Sequence, residues 1–135
     1  MASKKPQSKS KTVADTLKEL KINKADLGWA EFDIEFVENM PHDDKGTKEF
    51  GECDTDLCHI KVCLSQKPQG VRETLFHEIL HGVLETVGFG DREEDGEDKV
   101  TASNEELTLR IARGMILFCN LNPELARVVL GLEDE

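Results

Sequence analysis

Val71–Val87, VRETLFHEILHGVLETV, is the stretch on which the reading of this chain turns. Val71, Leu75, Phe76, Ile79, Leu80, Val83, Leu84 and Val87 recur at spacings of three and four, which predicts one long helix with a broad apolar stripe. Pro68 and Gly70 precede that helix and Gly88 ends it. An apolar stripe this wide must be covered, so the rest of the chain has to supply a surface for it. The same helix carries His77-Glu78-Ile79-Leu80-His81, an HExxH motif.

Upstream, Phe32, Ile34 and Phe36 alternate with Glu31, Asp33 and Glu35 within Trp29–Glu38, the period-two pattern of a half-buried strand. Pro41 to Thr47 has turn chemistry. A short strand from Glu49 to Cys53 is expected to pair with Cys58 to Ser65 across the Asp54-Thr55-Asp56 bend. In that second strand Ile60, Val62 and Leu64 share one face, and His59, Lys61 and Cys63 share the other. The expected fold is therefore α+β, with a small three-stranded, mainly antiparallel sheet packed on the HExxH helix and on a second long helix.

Three further helices complete that picture. Val13, Leu17, Leu20 and Ile22 mark a short amphipathic helix around Asp15 to Lys21, ending near Asn23. The second long helix runs from about Asn104 to Cys119, and Pro123 opens a short terminal one finishing near Leu130. Between the long helices, DREEDGED (91–98) places six carboxylates in eight residues, which reads as an acidic loop that does not pack.

The 135 residues suffice for one domain, expected to span 12–135 after a disordered basic tail at 1–11. That tail, MASKKPQSKSK, holds Lys4, Lys5, Lys9 and Lys11 without an acid. Removing those four positive charges from the formal net charge of −11 leaves −15 on the remainder, a body that repels a phosphate backbone. Nucleic acid and membranes are not expected partners. No apolar run approaches the roughly 20 residues that span a bilayer, and the N-terminus has no signal-peptide core. Cys53, Cys58, Cys63 and Cys119 contain no CxxC pair, and reduced thiols in a cytoplasmic protein are expected.

The chemistry lies in HExxH. Two imidazoles four residues apart are neighbours on one helical face and can hold a single metal ion, zinc (Zn2+) by default, although iron, manganese or nickel also accept such a donor set. Glu78, one residue after the first His, points toward a metal-held water and fits a general base. Gly82 follows the second His and allows a close backbone approach to the metal face.

A catalytic zinc site needs a third protein ligand, and Glu105, Glu106, Cys53, His42 and His59 are the candidates. Helical phase puts Glu105 on a stripe with Thr108, Ala112, Met115 and Cys119, expected to face the core. Glu106 aligns with Arg110 and Arg113 and completes a Ser103-x-x-Glu106 capping box, which explains it without a metal. Glu105 is thus the preferred third ligand. His42, on a turn beside Asp43 and Asp44, reads as a surface residue.

His77-Glu78-x-x-His81 followed by a helix beginning Glu105-x-x-Thr108-x-x-Ile111-Ala112 resembles the small gluzincin-type zinc metallopeptidases. The likeness is closest to the minimal HExxH proteins of bacteriophages and more distant to ImmA/IrrE peptidase-like domains, and it covers roughly residues 50 to 130. It implies a minimal zincin-like fold, a His-His-Glu zinc site completed by Glu105, and hydrolysis of a peptide or protein substrate. In such folds an edge strand often binds an extended peptide, and His59 to Leu64 is either that strand or simply an edge protected by Lys61 and Lys67. The acidic 91–98 segment departs from the pattern at the expected rim of the site. Two other readings stand beside the peptidase: a zinc-stabilised binding module without turnover, and a deformylase-like amide hydrolase with Cys53 as third ligand.

Overall fold

A computed structural model of the chain describes residues 12–41, 46, 48–88 and 104–132. The element order is α1 (Val13–Glu19), β1 (Lys24–Asp26), β2 (Glu31–Val37), β3 (Gly51–Asp54), β4 (His59–Cys63), α2 (Pro68–Thr86), α3 (Asn104–Leu121) and α4 (Pro123–Val129). The α+β class expected from the sequence is found. The tail at 1–11, the 91–98 loop, His42 and Ser103 lie outside the described residues.

The sheet differs from the expectation in strand number and direction. It has four strands in the order β1-β2-β4-β3, with β2 and β4 parallel and the two outer pairs antiparallel. The unexpected strand β1 is three residues long, too short to display an alternation, and only Ala25 is buried within it. It pairs Ala25 with Phe32 across a turn in which Gly28 has φ +95°.

Strand β3 lies at the far edge, not beside β2, because β4 takes the place between them. Burial explains the exchange: Ile60, Val62 and Cys63 of β4 are wholly buried, whereas β3 reads Gly-Glu-Cys-Asp and tolerates an edge. The Asp54 carboxylate accepts from the backbone N–H groups of Asp56 and Leu57, closing the β3–β4 hairpin. Since β4 is paired on both sides, it has no free edge for an added strand. The edge strand that contacts α2 is β3.

One sheet face is packed and the other is wet except at the end of β4, where Cys63 is buried. Phe32, Ile34, Ile60 and Val62 point inward, while Glu31, Asp33 and Glu35 point out. On the core side α2 contributes Val71, Leu75, Ile79 and Val83, spaced at four-residue steps and buried against the sheet. Gly82 faces this core, where an added Cβ would collide with Leu27 and approach Phe32, so its smallness serves packing rather than the metal face.

Caps and one buried amide fix the periphery. Thr12 and Asp15 form a reciprocal capping box, so that α1 starts at Val13, two residues before the expected Asp15 boundary. Asn122, buried at the α3–α4 junction, accepts from the Asp26 backbone N–H (2.7 Å) and donates to the carbonyls of Asp26 (2.6 Å) and Phe118 (3.0 Å). This side chain therefore ties β1 to the C-terminal helices. No helix among the described residues is long and apolar enough to cross a membrane.

Candidate metal centre

On α2, Glu73, His77, His81 and Glu85 each follow an inward residue by two positions, about 200° around the helix. All four are exposed, and together they form an outer row at four-residue spacing. The His77 and His81 Nε2 atoms lie 3.1 Å apart, one ring donating to the other, with ring centroids 4.7 Å apart and planes at 76°. Glu78 projects sideways between the two rows and is 7% exposed. One carboxylate oxygen of Glu78 and one nitrogen of each imidazole all lie within 4.8 Å of one another. That donor set fits a divalent transition metal, with two borderline nitrogen donors converging and a carboxylate in reach of a third group between them.

Strand β3 forms the wall beside Glu78. A Cβ on Gly51 would sit 2.5 Å from Thr74 Cγ2 and 2.7 Å from Glu78 Oε2, so only glycine lets helix and strand approach this closely. Cys53, on the same strand face as Gly51, lines a cavity of about 470 Å³ together with Asp56, Glu78, His81 and Glu85. A second cavity of about 430 Å³ lies between Glu49, Phe50, Gly51, Glu73, His77 and Glu78. Glu78 is common to both.

Burial pushes the Glu78 carboxyl above its usual range; His77 and His81 pull it back, and Glu52 and Glu49 push it up again. The Cys53 thiol is pushed up to about 12 by burial first and then by Glu78 and Asp54. Cys53 is consequently a neutral thiol at physiological pH unless a metal takes its proton.

Of the residues singled out in the sequence, His77, Glu78 and His81 come together. Glu105 is exposed in the first turn of α3 and is not a member of this group. The stripe assigned to it is only half inward: Met115 and Cys119 are partly buried, but Thr108 and Ala112 are exposed, and Gly114 and Phe118 supply the buried contact. Glu106 accepts from Arg110 Nη2 at 2.7 Å, the expected i,i+4 pair. His59 is on the wet sheet face, where its Nε2 is 2.9 Å from Glu35 Oε1. The residues that sequence reasoning passed over are Gly51, Glu73 and Glu85. The two glutamates were readable, because Glu73-x-x-x-His77-x-x-x-His81-x-x-x-Glu85 is one helical row.

Comparison of the chain with known protein families, with characterised proteins and with solved structures finds no match to any of them.

Proposed function

We propose that the protein is a zinc-dependent metallopeptidase, with His77 and His81 as metal ligands and Glu78 as general base. The observation that carries this reading is the meeting of two imidazole nitrogens 3.1 Å apart with the carboxylate of Glu78, a residue held in the helix–strand contact whose side chain opens on both neighbouring cavities. Zinc, when bound, supplies a Lewis acid that polarises a carbonyl oxygen and makes water more acidic. The chain supplies the proton transfers. Glu78 takes a proton from the attacking water and delivers it to the departing amine nitrogen, and its raised proton affinity suits both roles. The free edge of β3 offers backbone groups to an extended peptide beside Glu78, the part assigned from the sequence to the β4 strand.

Glu105 is the proposed third ligand on the strength of the resemblance alone, since it stands exposed on α3 outside the His77–Glu78–His81 group. One observation favours Cys53 instead, the thiol of a deformylase-like amide hydrolase: its side chain lines the cavity that Glu78 and His81 share. Metal analysis separates them, since Glu105→Ala loses zinc in the first case and Cys53→Ser in the second. Glu106→Ala keeps the metal in both and costs about 0.3–0.5 kcal/mol through its lost pair with Arg110. The reading also takes the protein to act in the cytoplasm, supported by four free cysteines.

The deciding experiment profiles a peptide library with zinc-loaded wild type and with Glu78→Gln. The variant should keep fold and zinc while hydrolysis falls by roughly two to four orders of magnitude. Equal cleavage by both removes Glu78 from the mechanism. Zinc retention with no cleavage by the wild type points to a zinc-stabilised binding module.

A further inference from the structure

The two cavities that meet at Glu78 have the same electrical character. The first presents Asp56, Glu78 and Glu85, the second Glu49, Glu73 and Glu78, and no Lys or Arg lines either among the described residues. Glu78 lines both cavities, and its carboxylate oxygens, which make no hydrogen bond among the described residues, are open to them rather than sealed in the core. Lys48, outside the lining of the second cavity, holds its ammonium 5.4 Å from the centroid of the Phe50 ring.

We infer that this cleft selects basic polypeptides, recognising Lys or Arg side chains on both sides of the residue that lies over Glu78. The inference rests on the peptidase reading for cleavage, but not for binding. Cavities of about 470 and 430 Å³ are each large enough for a long side chain, far more than a bare ion needs. Their spacing sets the substrate pattern. Twelve positions along α2 separate Glu73 from Glu85, about 18 Å at 1.5 Å per residue. An extended peptide covers that distance in about five or six residues at roughly 3.3 Å each. The basic side chains should accordingly stand two to three positions before and after the central residue.

The whole chain is acidic, so general attraction of cations has to be separated from recognition by the cleft. Glu31 and Glu124 provide the control, being exposed acids on the sheet's wet face and on α4. The probes are fluorescein-labelled octapeptides with Lys flanking an apolar centre, and the same peptides with Gln or Glu in place of Lys. Fluorescence anisotropy with the full-length, zinc-loaded protein should give binding of the Lys peptide about tenfold tighter than the Gln peptide at low salt, narrowing as salt is raised. Glu73→Gln with Glu85→Gln should remove most of that preference, whereas Glu31→Gln with Glu124→Gln should leave it. Charge reversal, Glu73→Lys with Glu85→Lys, should turn the preference toward the Glu peptide.

Equal loss in the cleft and control pairs, or no preference in the wild type, overturns the inference. Cleavage of all three peptides at equal rates also overturns it while leaving the peptidase reading intact. Tight, charge-selective binding with no cleavage upholds the basic cleft and defeats the peptidase reading instead.

Discussion

The two sides of α2 are made from one continuous sequence and have opposite chemistry. Val71, Leu75, Ile79 and Val83 form an inner row that is buried and wholly aliphatic, whereas Glu73, His77, His81 and Glu85 form an outer row that is exposed and wholly titratable. Each outer residue follows an inner one by two positions, so a single helix supports the core and presents a site without either row crossing into the other. Fold stability and site chemistry should then respond to different substitutions, even between neighbouring residues. Glu78 is the exception, since it is buried like the inner row and charged like the outer one.

The sharpest separation should come from the outer row. His77→Ala is expected to reduce zinc content from about one per chain to almost none, as measured by elemental analysis of purified protein. The metal-free variant should melt with a stability within about 0.5 kcal/mol of the metal-free parent, because the side chain is exposed. Full zinc retention would mean that His77 is not a ligand, and collapse of the metal-free fold would mean that the two rows are not independent.

The inner row should behave in the opposite way. Leu75→Ala removes a wholly buried side chain and should cost about 2–5 kcal/mol in denaturant unfolding, with zinc stoichiometry unchanged in whatever fraction remains folded. A loss below about 1 kcal/mol would show that the helix is not held by this face.

Where the rows meet, one substitution should disturb both properties. The Cβ of Gly51→Ala would stand 2.5 Å from the stiff Thr74 side chain and 2.7 Å from the Glu78 carboxylate. A cost of about 1–3 kcal/mol is expected from overpacking. Any hydrolytic activity should fall further than stability explains, because the carboxylate must move. Unchanged stability and activity together would mean that β3 and α2 are free to separate.

The pH behaviour of the metal-free protein tests Glu78 itself. Its folded-state affinity for a proton is raised, so the stability that protonation contributes is present at low pH and is lost as pH rises through the folded value. At neutral pH the neutral isostere Glu78→Gln should therefore be at least as stable as the metal-free parent, and the advantage should shrink as pH falls into the usual carboxylate range. A less stable variant at neutral pH, measured by thermal melting, would show that the ionised carboxylate is favourably partnered.

Legibility followed the range of the interactions involved. The helix with its motif, the alternation in β2 and the Glu106–Arg110 pair all depend on residues within a few positions of each other, and all were readable. The four-residue row ending in Glu73 and Glu85 is equally local and equally legible in the sequence. By contrast, β1 was hidden because a three-residue strand has no period to detect, and it is held by Asn122 from the other end of the chain. Gly82 follows the motif in sequence, yet its neighbours are Leu27 and Phe32, a contact that no spacing within α2 reveals.

By itself the sequence determined that this chain carries a long amphipathic helix with the two histidines of HExxH on its polar side, in an acidic α+β domain. The helix and the strand alternation follow from periodicity, a property of neighbours along the chain, and the acidity follows from composition. Only the tertiary structure decided that β4 rather than β3 is central, that Gly51 admits Glu78 against the strand, and that two acidic cavities meet at that carboxylate. Those outcomes rest on which buried surface competes best for the middle of a sheet and on how closely two backbones can approach. Both are set by contacts between residues distant in sequence.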